Sequence, residues 1–110
     1  MNSREKGNIA EEKAVEFLLS QKFEIIDRNF YTRFGEIDII AKKDNVLHFI
    51  EVKSGQNFQS IYNVTPQKIA KITKTLNVYL KKYKLKNPYQ IDVITIDNNN
   101  LEFIKNVSMF

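Results

Sequence analysis

Phe34-Gly35-Glu36-Ile37-Asp38-Ile39-Ile40-Ala41-Lys42-Lys43-Asp44-Asn45-Val46-Leu47-His48-Phe49-Ile50-Glu51-Val52-Lys53 reads as two β-strands joined by a tight turn. Ile37, Ile39, Ile40 and Ala41 make the first strand apolar; Val46, Leu47, Phe49, Ile50 and Val52 make the second. Asp44-Asn45 suits a two-residue hairpin turn, because both residues tolerate positive φ. With those two residues at the turn, Asp38 faces Glu51 and Glu36 faces Lys53, and directly opposed residues share a face of a sheet. Three carboxylates and one lysine then crowd one surface. Like charges placed opposite each other destabilise a strand pair. A cation among them removes the penalty, and clustered oxygen ligands suit Mg²⁺ or Mn²⁺. The same residues also suit a solvated hairpin face on which Glu36 and Lys53 form an ordinary ion pair. Register decides between these readings, since a slip of one residue sends one strand's acids to the other face.

Upstream of the hairpin, Gly7 to Gln21 carries a helical pattern: Ala10, Ala14, Val15, Phe17, Leu18 and Leu19 recur at helical spacing. At 100° per residue, Ala14, Val15 and Leu18 share a stripe, with Glu11 near its middle. A carboxylate on a buried face is costly unless something pairs with it. Glu11 is therefore either a site acid aimed inward or a first-turn Glu bent back to solvent and favoured by the helix dipole. Residues 1–6 are polar and expected to be loose. Lys22 to Arg33 reads as a strand, with Asn29 marking a bend.

Downstream, Ser54 to Asn63 has no clear period and is expected to be a loop beside the hairpin. Thr65-Pro66 is a helix start, with Thr as N-cap and Pro in the first turn. The helix is predicted to run to Tyr83, with Ile69, Ile72, Leu76, Tyr79, Leu80 and Tyr83 on one stripe. Lys68, Lys71, Lys74, Lys81 and Lys82 lie opposite, as a solvated face or as a surface for phosphates. Gln67 sits in the first turn, where it can reach a neighbouring site. Tyr89–Ile96 is predicted to be a strand inside a sheet, Asp97–Asn100 a turn, and Leu101–Val107 a short edge strand. The order is α-β-β-β-α-β-β, which predicts two helices on a mixed sheet of four or five strands.

The 110 residues suit one domain, and a hydrophobic fraction of 43% suffices for its core. The net charge of +4 and pI of about 9.3 are compatible with a polyanionic partner. The absence of cysteine excludes disulfides and thiolate metal sites and fits a reducing compartment. No apolar run approaches a membrane span, and no apolar segment follows the charged start, so a cytoplasmic location is expected. The chain's one histidine, His48, alternates onto the face away from Glu51. With only that histidine, a zinc site or a Ser-His-Asp relay has too few parts.

Asp38 and Glu51 can hold a hard cation between opposed strands, with Lys53 on the same face as Glu51. Its ammonium can orient a metal-bound water and stabilise charge on an attacked phosphate. This is a recipe for phosphodiester hydrolysis.

Gly35-Glu36-Ile37-Asp38-Ile39-Ile40-Ala41 followed by Phe49-Ile50-Glu51-Val52-Lys53 resembles the YraN-type family of small bacterial proteins. That family is similar to the restriction-endonuclease-like, PD-(D/E)XK nuclease superfold. The likeness extends to Ala10-Glu11 with Ala14, Arg28-Asn29, Lys68, Tyr79-Leu80 and Ile91-Asp92-Val93-Ile94. It implies a restriction-endonuclease-like α-β-β-β-α-β core. It also implies Asp38, Glu51 and Lys53 as catalytic positions, with Glu11 as an extra acid from the first helix. The family often has Lys-x-Arg where this chain has Lys53-Ser54-Gly55, and Arg-Phe-Asp-Val where it has Gln90-Ile91-Asp92-Val93. Two basic groups near the substrate are thus missing, so phosphate binding is either weaker or falls to Lys22, Arg28, Arg33 and the second helix, including Lys68 and Lys71.

The expectation is a metal-dependent endonuclease-like domain acting on DNA, branched or single-stranded forms included. Glu11, Asp38 and Glu51 would bind Mg²⁺ or Mn²⁺, supported by Glu36 and Gln67. Small nucleases of the superfold often pair to cut two strands, so a homodimer is compatible with it. The rivals are a nucleic-acid-binding module with little catalysis of its own and a protein-interaction adaptor with structural acids.

Overall fold

The computed structural model describes residues 3–55, 64–98 and 100–107. Helix α1 spans Ser3–Ser20; strands β1, β2 and β3 span Glu24–Thr32, Gly35–Lys43 and Val46–Gly55. Helix α2 spans Pro66–Lys82, and strands β4 and β5 span Tyr89–Asp97 and Asn100–Ile104. The sheet order is β1-β2-β3-β4-β5, antiparallel throughout except for the parallel β3–β4 pair. A parallel pair needs a crossover connection, and α2 lies in it. This is the predicted mixed α/β architecture, with its five strands and two flanking helices.

The β2–β3 turn forms as its residues dictate. Asp44 and Asn45 have φ of 51° and 67°, the positive pair that a type I′ turn requires. The register follows: Lys43 opposes Val46, Ala41 opposes His48 and Ile39 opposes Ile50. The ladder then stops. One step further on, the Val52 N–H donates instead to the Asp38 carboxylate, at 2.8 Å.

Each helix covers one face of the sheet. Ala10, Ala14 and Leu18 of α1 pack with Ile39, Ala41, Ile50, Ile94 and Ile96. Ile69, Ile72, Leu76 and Tyr79 of α2 pack with Ile37, Ile40, Leu47, Phe49, Ile91 and Val93. Burying a side chain such as Leu76 is worth roughly 1.5–3 kcal/mol. Strands β3 and β4 are apolar on both faces because both faces are covered. Ile37 and Ile40 join one cluster while Ile39 joins the other. Strict alternation would place Ile37 with Ile39, so β2 turns about Asp38.

Thr65 caps α2 by accepting from the Lys68 N–H at 3.2 Å. At its other end the Tyr83 N–H bonds Tyr79 O, and Lys84 turns left-handed at φ 53°. Helix α1 begins at Ser3, so residues 3–6, expected to be loose, are helical. Ser3-Arg4-Glu5-Lys6 contains no helix breaker, which lets the helix extend through Gly7. The loop expected at Ser54–Asn63 begins later, since β3 continues to Gly55; its residues 56–63 lie outside the described residues. The last strand ends at Ile104, and Val107 folds back into the α2-side cluster. No helix among the described residues is long and apolar enough to cross a membrane.

Candidate functional site

The carboxylates gather where β2 and β3 part. Asp38 is held by the Val52 N–H. Its carboxyl is pushed from 3.8 up to about 7, mainly by burial, against the pull of the Val52 hydrogen bond; Glu11, Glu36 and Glu51 add repulsion. Glu51 carries its own partner: Lys53 Nζ lies 2.9 Å from Glu51 Oε1. Alternation had placed these two on one face, and they meet there. The second oxygen, Glu51 Oε2, is buried and accepts no hydrogen bond from the described residues. A buried, unpartnered carboxylate oxygen costs free energy unless a cation or donor occupies the space beside it.

Glu11 reaches this region from α1, with its side chain 16% exposed. Burial raises its carboxyl above the usual range, and neighbouring Glu36 raises it further, while Arg28 and Asn29 oppose both. The expected Glu36–Lys53 ion pair is replaced. Lys53 goes to Glu51, and Glu36 turns toward β1, because the β2–β3 ladder ends before those residues come opposite. There Tyr31 opposes Glu36 across the β1–β2 ladder, and the nearby carboxylate raises the Tyr31 phenol above its usual range. Oriented with its amide nitrogen toward the acids, Asn29 donates to Glu36 Oε1 at 2.7 Å and to Glu11 Oε1 at 3.1 Å.

A cavity of about 220 Å³ opens beside Glu51, lined by Phe34, Gly35, Glu36, Glu51, Lys68, Lys71, Ile72 and Thr75. Lys68 and Lys71 of the predicted basic stripe therefore flank the acids. Gln67 is exposed and is not part of this lining. Arg33 lies over the Phe34 ring, 4.9 Å from its centroid. Arg28 is tied to α1: its guanidinium is 2.8 Å from Glu12 and 3.8 Å from Glu11.

Two carboxylates of this region are the candidates for holding a hard cation. Asp38 and Glu51 offer carboxylates from adjacent strands, and Glu51 Oε2 lacks a partner among the described residues. Among the described residues, no three Asp, Glu or His side chains are grouped closely enough to enclose an ion by themselves.

Three features of the site escape periodicity. Asn29 is left-handed at φ 54° within a strand, and that conformation delivers its amide to two acids. Tyr31 opposes Glu36. Phe34 stands in the turn between β1 and β2. An Asn in mid-strand was the one visible signal for the first; single aromatics carry no pattern.

His48 lies on the α1 face, away from Glu51 as alternation requires. Its Nδ1 is 2.5 Å from Asp92 Oδ2, and Asp92 also accepts from Gln90 Nε2 and the Asn106 N–H, each at 2.8 Å. Asp92 is wholly buried. This group supports the sheet from within, remote from the acids around Asp38.

Comparison with known proteins places the motifs in a family. The model of the uncharacterised protein family UPF0102 matches residues 10–96, a stretch that includes Glu11, Asp38, Glu51 and Lys53. A UPF0102 protein of Helicobacter hepaticus is 53% identical over 109 residues, covering 99% of both chains. One of Campylobacter fetus is 56% identical over 103 residues, 93% of this chain and 92% of its own. One of Wolinella succinogenes is 50% identical over 107 residues, 97% of this chain and 99% of its own. The family resemblance expected from the Gly-Glu-Ile-Asp and Glu-Val-Lys motifs holds across almost the whole length, and the chain belongs to the uncharacterised protein family UPF0102.

Proposed function

We propose that this protein is a Mg²⁺- or Mn²⁺-dependent endonuclease that hydrolyses phosphodiester bonds in DNA. One observation carries the reading: Glu51 Oε2 is buried without a partner among the described residues, beside a second carboxyl, Asp38, and an ammonium, Lys53. An ordinary solvated hairpin face does not bury an orphaned oxygen.

In this reading Asp38 and Glu51 would hold the ion, with Glu11 as a further acid. A bound Mg²⁺ or Mn²⁺ supplies Lewis acidity and lowers the pKa of a coordinated water. The chain's own groups do the rest. Lys53, kept beside the acids by Glu51, stabilises negative charge developing on an attacked phosphate. Lys68 and Lys71 attract the backbone of the nucleic acid to the cavity wall. Asn29 holds Glu36 and Glu11 in place, so these acids are oriented before a ligand arrives.

The test is cleavage of branched, single-stranded and duplex DNA with Mn²⁺. The wild type cuts at least one of them; Asp38→Ala and Lys53→Ala, shown folded by circular dichroism, lose roughly a hundredfold or more. A wild type that cuts nothing beyond what Asp38→Ala cuts ends the reading. A second reading, a DNA-binding module without turnover, is favoured by the lack of three grouped acids or histidines among the described residues. Salt-dependent DNA binding with no cutting would support it.

A further inference from the structure

The buried pair of His48 and Asp92 takes no part in the acid site, and a second cavity opens onto it. That cavity measures about 270 Å³, and its lining includes Phe23, Lys43, Asp44, His48, Gln90 and Lys105. It shares no residue with the cavity beside Glu51. It lies at the turn end of β2 and β3, whereas the acids gather where those strands part.

Asp92 has donors on both oxygens. Its Oδ1 accepts from Gln90 Nε2 and the Asn106 N–H, so the carboxylate is the acceptor and Oδ2 takes its hydrogen bond from His48 Nδ1. The network thereby assigns a proton to Nδ1 and leaves Nε2 over. His48 is 7% exposed, yet Nε2 has no hydrogen-bond partner among the described residues and is not sealed from solvent. The ring packs edge-on against Phe23, with centroids 4.9 Å apart, and solvent reaches Nε2 through the cavity.

Two ammonium groups stand at the same cavity. Lys43 Nζ donates to Gln21 O at 2.8 Å and lies 5.1 Å from the Phe23 centroid; Lys105 Nζ lies 5.5 Å from that of Phe103. Phe23 and Phe103 are themselves in contact, at 5.8 Å. Among the described residues no carboxylate pairs with either lysine. Asp44, the one acid in the lining, is exposed on the turn, where water screens it. A metal ion would find His48 and Asp44 alone for ligands and two ammoniums to repel it. An anion suits the cavity better.

From this arrangement we infer that the cavity binds a terminal phosphate group, as inorganic phosphate or on a small molecule, held by His48 Nε2, Lys43 and Lys105. A terminal phosphate offers three free oxygens to these three side chains, where a backbone phosphodiester offers two. Phosphate also suits Nε2 in either state of the ring: it accepts from an imidazolium, and its own hydroxyl donates to a neutral nitrogen. Sulfate, which has no proton to give near neutral pH, can do only the first. The inference does not rest on the nuclease reading.

The experiment is a long-range ¹H–¹⁵N correlation spectrum of tag-free protein, in which the chain's one histidine gives a single imidazole signal set. Inorganic phosphate, glycerol 3-phosphate, sulfate and glycerol are titrated in turn at constant pH and ionic strength. Phosphate and glycerol 3-phosphate should move the Nε2 signal along a curve that saturates below about 10 mM. The tighter of the two identifies the source, the free ion or the monoester. Sulfate should bind at least about fivefold more weakly, for want of one hydrogen bond. Glycerol should move nothing. Lys43→Ala and Lys105→Ala, both at the protein surface, should each weaken phosphate binding about tenfold and leave the Nδ1–H signal in place. A signal that does not saturate, sulfate as tight as phosphate, affinity unchanged in both lysine variants, or a neutral ring with its proton on Nε2 would each overturn the inference.

Discussion

Asp38→Asn should stabilise this protein, and by an amount that grows with pH. The carboxyl of Asp38 is pushed from 3.8 up to about 7, chiefly by burial, with Glu11, Glu36 and Glu51 adding to the rise. Between those two values the folded protein holds a proton that the unfolded chain has released. The native state then binds more protons than the unfolded state, so stability falls as pH rises through the window. The cost is absent below about pH 4 and complete above about pH 7. At ~1.4 kcal/mol per tenfold change in proton affinity, the rise from 3.8 to about 7 sets a ceiling of about 4 kcal/mol. Three neighbouring carboxylates share the site and relax when one charge is removed, so about half the ceiling is the expected gain. Asn retains an oxygen to accept the Val52 N–H, which keeps the backbone tether. The assay is urea denaturation of both proteins in EDTA at pH 5 and pH 8. The advantage of the Asn variant should widen by roughly 1–3 kcal/mol between them, or about 1 M in urea midpoint. Equal differences at the two pH values would refute the burial of an unpaired charge at Asp38, as would a wild type more stable than the variant at pH 8.

Further outcomes follow from other parts of the molecule. Asp92→Ala leaves three donors facing a wholly buried gap, and thermal melting should register a loss of roughly 3–5 kcal/mol; a loss under about 1 kcal/mol would mean the His48–Asp92 group adds little. Leu76→Ala empties a fully buried position under α2 and should cost about 2–5 kcal/mol by denaturant titration. Lys68→Ala and Lys71→Ala should each reduce the slope of log affinity against log salt for DNA by about one, without changing sequence preference; an unchanged slope would place the strand elsewhere.

Local chemistry made much of this fold legible. Asp44-Asn45 specified a turn and the turn a register, while alternation along β3 brought Glu51 and Lys53 to one face and sent His48 to the other. Thr65-Pro66 announced α2, and its predicted stripe is buried from Ile69 to Tyr79, whereas Tyr83 at its far end caps the helix and stays exposed. Long-range geometry was harder to foresee. Periodicity carried the ladder on to Asp38, whereas β2 turns there and Asp38 takes a backbone N–H with its side chain. That turn is why Glu36 pairs with β1 groups instead of Lys53. Arg28 read as a phosphate ligand because the acids that engage it, Glu11 and Glu12, belong to a different element. The His48–Asp92 pair joins residues 44 apart in sequence, and no local pattern connects them. Gln67, in the first turn of α2, was credited with a reach toward the site that its exposed position outside the cavity lining does not support.

The central claim is that the oxygens of Asp38 and Glu51 together hold one divalent cation. Anomalous scattering from a crystal soaked in Mn²⁺ above pH 7, where Asp38 is ionised, tests it most directly. The account predicts one peak between the two carboxylates, about 2.0–2.3 Å from an oxygen of each, and its loss in Asp38→Asn crystals. A soaked crystal with no peak there, and Glu51 Oε2 still without a partner, would contradict it.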